Sequence, residues 1–314
     1  MIAKRSQKEE RIMPRLIKPL GTFCVLWLIA LLFGACGPAP NSGSTPAPTP
    51  LPATAAPTII PTLIVTTMEE TAAEPTTAPQ VAALHVGVNA EFEPFVFLDP
   101  QGNLAGFDID LLNALSAAGG FEVSYTNVPF DTLLAGVAAG EYDAAISAIT
   151  ITDERQQQVS FTDPYFEPGQ GLLSYWSAGQ GIAVPLSTTT ILGAEDLGPG
   201  MRVGVKSGTT GADFVASETE AEGVPFAEAD LALDALARGE VDAVVLDVAV
   251  IAEYISLHQA ASIKLTGRPV TDERYAMAVN PARPEVLALL NATLAQIRQD
   301  GTYETIVNKW FSNP

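Results

Sequence analysis

Cysteine is almost absent. Of 314 residues only Cys24 and Cys36 carry a thiol, so disulfides, thiolate metal sites and cysteine nucleophiles are excluded from everything after Cys36. Histidine is as scarce, with His85 and His258 alone. Basic residues are few: 16 Lys and Arg stand against 36 Asp and Glu, for a net charge of -20. Six of the 16 (Lys4, Arg5, Lys8, Arg11, Arg15, Lys18) lie in the first 35 residues against Glu9 and Glu10, which leaves ten after Cys36 and -24 on the rest of the chain. A phosphate backbone needs a basic footprint, so this deficit argues against nucleic acid as a partner and reads as solubility. Long apolar runs are missing too. The 16 residues Leu20 to Ala35 form one, shorter than the roughly 20 that a spanning helix needs, and no run of spanning length follows Cys36.

What is present at the amino terminus is a basic segment, a short apolar core, and the small residues Gly34 and Ala35 before Cys36. This order resembles a bacterial lipoprotein signal over 1–35, with Cys36 as the lipidated residue; Phe33 stands where Leu is commoner, and an uncleaved anchor is the alternative. From Gly37 to Gln80 there are ten prolines and ten threonines in 44 residues. Such a composition cannot bury enough apolar surface to fold, so 36–80 reads as an extended tether of at least ~35 Å. Residues 81 to 314 suffice for two lobes.

Those lobes repeat one pattern. Leu84-His85-Val86-Gly87-Val88-Asn89 is echoed by Met201-Arg202-Val203-Gly204-Val205-Lys206, and Gly140-Glu141-Tyr142-Asp143-Ala144 by Gly239-Glu240-Val241-Asp242-Ala243. The offsets differ, and the surplus in the first copy falls on Glu91 to Gly106, which with Pro94, Asp99-Pro100 and Gly102 reads as an inserted hairpin. Helical spacing links Leu111, Leu112 and Leu115; then Leu133, Leu134 and Val137; then Leu231, Leu233 and Leu236. Strands alternating with helices imply parallel sheets covered on both faces, with ligands held beyond the carboxyl ends of strands. Asn89 and Lys206 are then equivalent positions, and Ser147 and Asp247 nearly so.

Within Asp143 to Asp163, an apolar strand leads through Ser147, Thr150 and Thr152 to a helix start with Arg155. Thr152 can cap that helix at Asp153, first-turn amides and the dipole favour an anion, and Arg155 adds a two-pronged donor; Ser147 and Thr150 are close enough to share one ligand. A surface helix with Arg155 paired to Asp153 or Glu154 is the alternative. Asp247 ends the apolar run Ala243 to Leu246 and either faces the crevice or caps the helix starting at Val248. Ser207-Gly208-Thr209-Thr210-Gly211 offers amides to an anion but lacks the Gly-Lys-Ser/Thr order of a phosphate loop.

Six stretches, Glu93-Pro94-Phe95, Gly106 to Leu111 (GFDIDL), Ile149 to Arg155 (ITITDER), Phe161 to Tyr165 (FTDPY), Val203 to Thr209 (VGVKSGT) and Asp300 to Phe311 (DGTYETIVNKWF), occur in the order found in bacterial extracellular solute-binding protein family 3, the amino-acid receptors of ABC importers. Residues 82 to 314 resemble that family. The resemblance implies an α/β, two-lobe periplasmic-binding-protein-like fold of type II, each lobe a mostly parallel sheet flanked by helices, joined by two crossing strands. Lobe 1 is expected over 82–174 and 277–314, lobe 2 over 175–276, with crossings near Leu173 to Trp176 and Tyr275 to Ala278. It also implies that Arg155 grips a ligand's α-carboxylate and Asp247 its α-ammonium, that Thr210 lies against the carboxylate, that Phe92 and Phe130 sandwich the ligand's carbon chain, and that Ala148 contributes its backbone. As isolated phenylalanines, Phe92 and Phe130 would by default be core residues. A zwitterion in a dry cleft needs one fixed cation and one fixed anion in any case.

Asn89 is neutral where relatives that take cationic amino acids often carry an acid, and Lys206 adds a positive charge if it points inward rather than to solvent. Both lean toward glutamine, glutamate or a similar polar ligand over arginine, lysine and histidine. The expected protein is a monomer on the extracytoplasmic side of the cell membrane, anchored by lipid at Cys36 and serving an ABC permease, without cofactor or metal. Two rivals share the fold. A dehydratase acting on cyclohexadienyl acids would need a general acid such as Glu91, and neither histidine is at the expected crevice. A sensory module would need a separate signalling chain, since nothing apolar enough to span follows Cys36.

Overall fold

The computed structural model describes residues 81–168 and 177–311. The leader, Cys36, the tether and the crossing near Leu173 to Trp176 lie outside them. In chain order the first part forms β1 (Ala83–Val88), β2 (Glu91–Phe92), β3 (Val96–Leu98), β4 (Leu104–Ala105), α1 (Phe107–Gly119), β5 (Glu122–Asn127), α2 (Phe130–Ala139), β6 (Ala144–Ala145), α3 (Asp153–Gln156) and β7 (Ser160–Phe161). There follow β8 (Gln180–Pro185), β9 (Arg202–Lys206), α4 (Thr210–Glu218), β10 (Glu222–Phe226), α5 (Ala229–Ala237), β11 (Ala243–Asp247), α6 (Val248–Leu257), β12 (Ile263–Thr266), β13 (Ala278–Val279), α7 (Pro284–Gln299) and α8 (Thr302–Phe311).

Two five-stranded sheets carry the fold, in the orders β5-β1-β6-β13-β7 and β10-β9-β11-β8-β12. Each has three parallel strands joined by helical crossovers, then one antiparallel strand, β13 or β8. The repeated sequences occupy matching places: β1 and β9 second in their sheets, β6 and β11 third. In both copies the glutamate-containing turn precedes the third strand, and its glycine, Gly140 or Gly239, sits at positive φ (80° and 73°), where a side chain would be strained. This is the mostly parallel, doubly covered arrangement expected from alternating strands and helices. α2 packs on β1, β6 and β13; α4 and α5 pack on β9, β10 and β11.

Two details differ from the sequence reading. The insertion between the first strand and α1 is not one hairpin but a three-stranded antiparallel meander, β2-β3-β4, closed at its second turn by Asp99, whose carboxylate accepts from the amides of Gln101 and Asn103. Leu231 does not join the buried face of α5 and is 44% exposed. That face is Ala229, Ala232, Leu233, Ala235 and Leu236, and Leu231 stands just beyond its edge, four residues before Ala235 and two from Leu233.

The first sheet is locked by aromatics. Phe95 has ring centroids of Phe107, Phe166, Tyr275 and Phe311 between 5.4 and 6.2 Å away, and Trp310 of α8 donates to Asp110 of α1 at 2.7 Å. Phe166 and Tyr275 pair as an isolated bridge and stack at 5.8 Å. Tyr275 also bridges to Thr150, so the stretch leading into β13 is stitched to the segment that leads into α3 and Arg155.

Candidate functional site

The carboxyl ends of the parallel strands converge on one cavity, lined by Phe92, Phe130, Ser147, Ala148, Thr150, Arg155, Lys206, Thr209, Thr210 and Asp247. Nine of the ten residues expected from sequence line it. The tenth, Asn89, stands directly behind Lys206, whose Nζ donates to Asn89 Oδ1 at 2.7 Å and to the Glu91 carbonyl at 3.3 Å. The two positions that the repeat makes equivalent thus touch each other.

Arg155 is buried while its neighbours Asp153 and Glu154 are exposed, which rules out the surface ion pair. Its Nη1 donates to the Thr150 carbonyl at 3.0 Å, its Nη2 to the Gly208 carbonyl at 3.2 Å, and its guanidinium lies 5.6 Å from the centre of the Phe130 ring. Two of five donors are thereby fixed, and burial lowers the pKa of the group. Thr152 caps α3 as expected, accepting from the Arg155 amide at 3.2 Å. That helix is four residues long, too short for much dipole. The other helix start read as offering amides, that of the nine-residue α4, is capped by Thr209, with Thr210 as its first residue. Thr209 also donates to the Lys206 carbonyl at 2.8 Å.

Both small hydroxyls are engaged within the protein. Ser147 Oγ exchanges hydrogen bonds with the Asn89 backbone at 3.1 and 3.2 Å, and Thr150 Oγ1 donates to Glu273 Oε2 at 2.6 Å. Ala148 takes the left-handed backbone (φ 47°), rare for a residue with a side chain. Its amide donates to Asp108 Oδ2 at 2.9 Å and lies 3.1 Å from Tyr165 Oη. Asp108 is fully buried and burial pushes it up to about 7.

Asp247 ends β11 and heads α6, yet its side chain does not cap that helix. It accepts from the Tyr275 hydroxyl instead, and burial, with Glu273 close by, pushes it up to about 7. Lys206 is 1% exposed, with Nζ 5.2 Å from the centre of the Phe92 ring. Desolvation lowers its pKa, opposed by Glu91 and Asp247. It points inward, not to solvent.

Sequence reasoning missed Thr209, Gln180 and Glu273. Thr209 carried a signal, as a threonine immediately before a helix. Glu273 carried none. His85 bonds Thr126 and His258 stacks on Tyr254; neither lines the cavity. Among the described residues no helix is long and apolar enough to cross a membrane.

Comparison with known proteins places the chain in a family. The chain is 36% identical to the probable histidine-binding protein of Neisseria gonorrhoeae, over 72% of this chain and 82% of the relative. It is 33% identical to ABC transporter arginine-binding protein 1 of Escherichia coli (strain K12), over 73% and 90%. A solved ancestral arginine-binding protein bound to glutamine superimposes with a TM-score of 0.66 at 36% identity, covering 74% of this chain and 99% of its own. The profile of the bacterial extracellular solute-binding proteins, family 3, matches residues 84–313. With a type II two-lobe fold, strand-end residues gathered on one small cavity and relatives of this kind, the chain belongs to the bacterial extracellular solute-binding proteins, family 3.

Proposed function

We propose that the protein is the extracytoplasmic substrate-binding component of an ABC importer, and that it captures a polar amino acid, glutamine or glutamate rather than arginine, lysine or histidine, between two closing lobes. Arg155 and the first-turn amides of α4 would take the α-carboxylate, Asp247 the α-ammonium, and Phe92 and Phe130 the carbon chain. In this reading lobe 1 is 82–174 with 277–314 and lobe 2 is 175–276, hinged at the two crossings. Residues 1–35 are a leader, Cys36 carries the lipid, and 36–80 tether a monomer to the membrane near its permease.

The observation that carries the ligand choice is the buried Lys206 ammonium in the cavity wall, donating to Asn89 Oδ1 at 2.7 Å. A cationic ligand side chain would meet a like charge in a dry site, at a cost of several kcal/mol, whereas a carbonyl or carboxylate oxygen would gain a donor. The names of the relatives span histidine and arginine, and the ancestral protein was solved with glutamine; the lysine favours the last of these.

Calorimetric titration with the separate amino acids, read beside the radius of gyration in scattering, tests this. Glutamine or glutamate is expected to bind and compact the protein, arginine to do neither, and Lys206→Met to narrow the preference at least tenfold. Compaction by arginine alone would overturn the ligand assignment; no response to any amino acid would overturn the capture mechanism.

A further inference from the structure

The cavity has a second carboxylate behind its wall. Glu273 is 5% exposed and Asp247 4%, and both face the same two groups. Gln180 Nε2 lies 3.5 Å from Glu273 Oε2, and Gln180 stands directly opposite Asp247 in the β8–β11 pairing; Tyr275 donates to Asp247 and feels the charge of both acids. Glu273 further accepts from Thr150 Oγ1 at 2.6 Å and Thr271 Oγ1 at 3.0 Å. No cation closes a salt bridge with either acid among the described residues. The two basic groups facing them make no ion pair and attract them only across space, Arg155 both acids and Lys206 Asp247, while Arg155 donates to the carbonyls of Thr150 and Gly208, and Lys206 to Asn89 and the carbonyl of Glu91. The remaining charge near Arg155 from α4 is Asp213, another acid. Two buried carboxylates that share these partners and close no salt bridge disfavour each other's ionisation.

We propose that the Asp247–Glu273 pair holds one proton in the ligand-free protein and expels it when the ammonium group of an amino acid arrives, with Glu273 the positioning residue that makes Asp247 hold it. This rests on the amino-acid reading above. The balance is simple: one O–H bond of a carboxylic acid breaks, the proton goes to solvent, and the ligand's N–H donors replace it at the carboxylate. Glu273 is absent from the cavity wall and acts through charge. The elevation of Asp247 to about 7 agrees with this.

The sign follows from linkage. The bound state carries one proton fewer, so affinity rises with pH, by up to about tenfold per unit below about pH 7, and levels off above it. The test is calorimetry with glutamine near pH 6.5 in phosphate and in Tris, whose ionisation enthalpies differ, on the wild type and on Glu273→Gln. The wild type should release roughly half to one proton per ligand; Glu273→Gln should release markedly less and lose the pH slope. Equal binding enthalpies in both buffers with affinity flat from pH 6 to 8 would overturn the proposal and leave the amino-acid reading intact. So would unchanged release by Glu273→Gln. If no amino acid binds, the function falls instead, and the pair is judged on the ligand-free protein by infrared spectroscopy. A protonated-carboxyl band at neutral pH that disappears in Asp247→Asn upholds the shared proton, and its absence in the wild type refutes it.

Discussion

The same four letters, Thr-Asp-Glu-Arg, occur at 152–155 and at 271–274, and they bury opposite members. In the first copy Thr152 caps a helical turn, so Arg155 swings inward while Asp153 and Glu154 face solvent. In the second the chain is extended toward Tyr275, alternate residues point inward, and Glu273 is buried while Asp272 and Arg274 are exposed. Burial of a charge here is set by the period of the local backbone and not by composition. Arg155 and Asp247 were legible because each abuts an apolar strand or a cap, whereas Glu273 sits among polar neighbours that give no sign of an interior, and the fully buried Asp108 reads as an ordinary first-turn acid of α1. For Arg155→Ala, removing one partner from a buried charged contact costs ~3–5 kcal/mol, or roughly two to three and a half decades of affinity. Titration calorimetry should show this loss with circular dichroism unchanged. Because the guanidinium also ties Thr150 to Gly208, unfolding of this variant would reveal a structural arginine instead.

The strand and helix repeat was readable because apolar periodicity and the two glutamate-containing turns recur in register, and the two sheets have matching strand orders. What escaped the reading was local. The extra strand β4 is two residues long, below the length at which alternation is a signal, and the face of α5 was misjudged by one position at Leu231. Of the two helix starts read as offering amides to an anion, α3 is a single turn and α4, entered through Thr209 and Thr210, the longer. Thr209→Ala should therefore cost about 1 kcal/mol through the lost cap, lowering the melting temperature by about 2–4 °C for a domain of this size, and should weaken amino-acid binding because the same hydroxyl holds the Lys206 carbonyl. Thr209→Ser should restore both. Unaltered melting and affinity in Thr209→Ala would remove the cap from the account.

For the molecule as a whole, charge and thiol are partitioned along the chain: basic residues and both cysteines cluster before the folded part, and acid dominates after it. That arrangement fits a leader removed at a membrane and an acidic receptor displayed beyond it. Cys36→Ser should leave the protein unprocessed or release it from the membrane fraction, and intact-mass analysis of the wild type should show a chain beginning at a lipid-modified Cys36. A mature chain still beginning at Met1 would refute the anchor. The sheet orders carry a last consequence, for synthesis. β13 lies between β6 and β7 in the first sheet, although the whole second sheet intervenes in sequence. A chain emerging from the ribosome must therefore leave β6 and β7 with unpaired edges, open to wrong partners, until Ala278 and Val279 have been made. The first lobe to begin is the last to be completed.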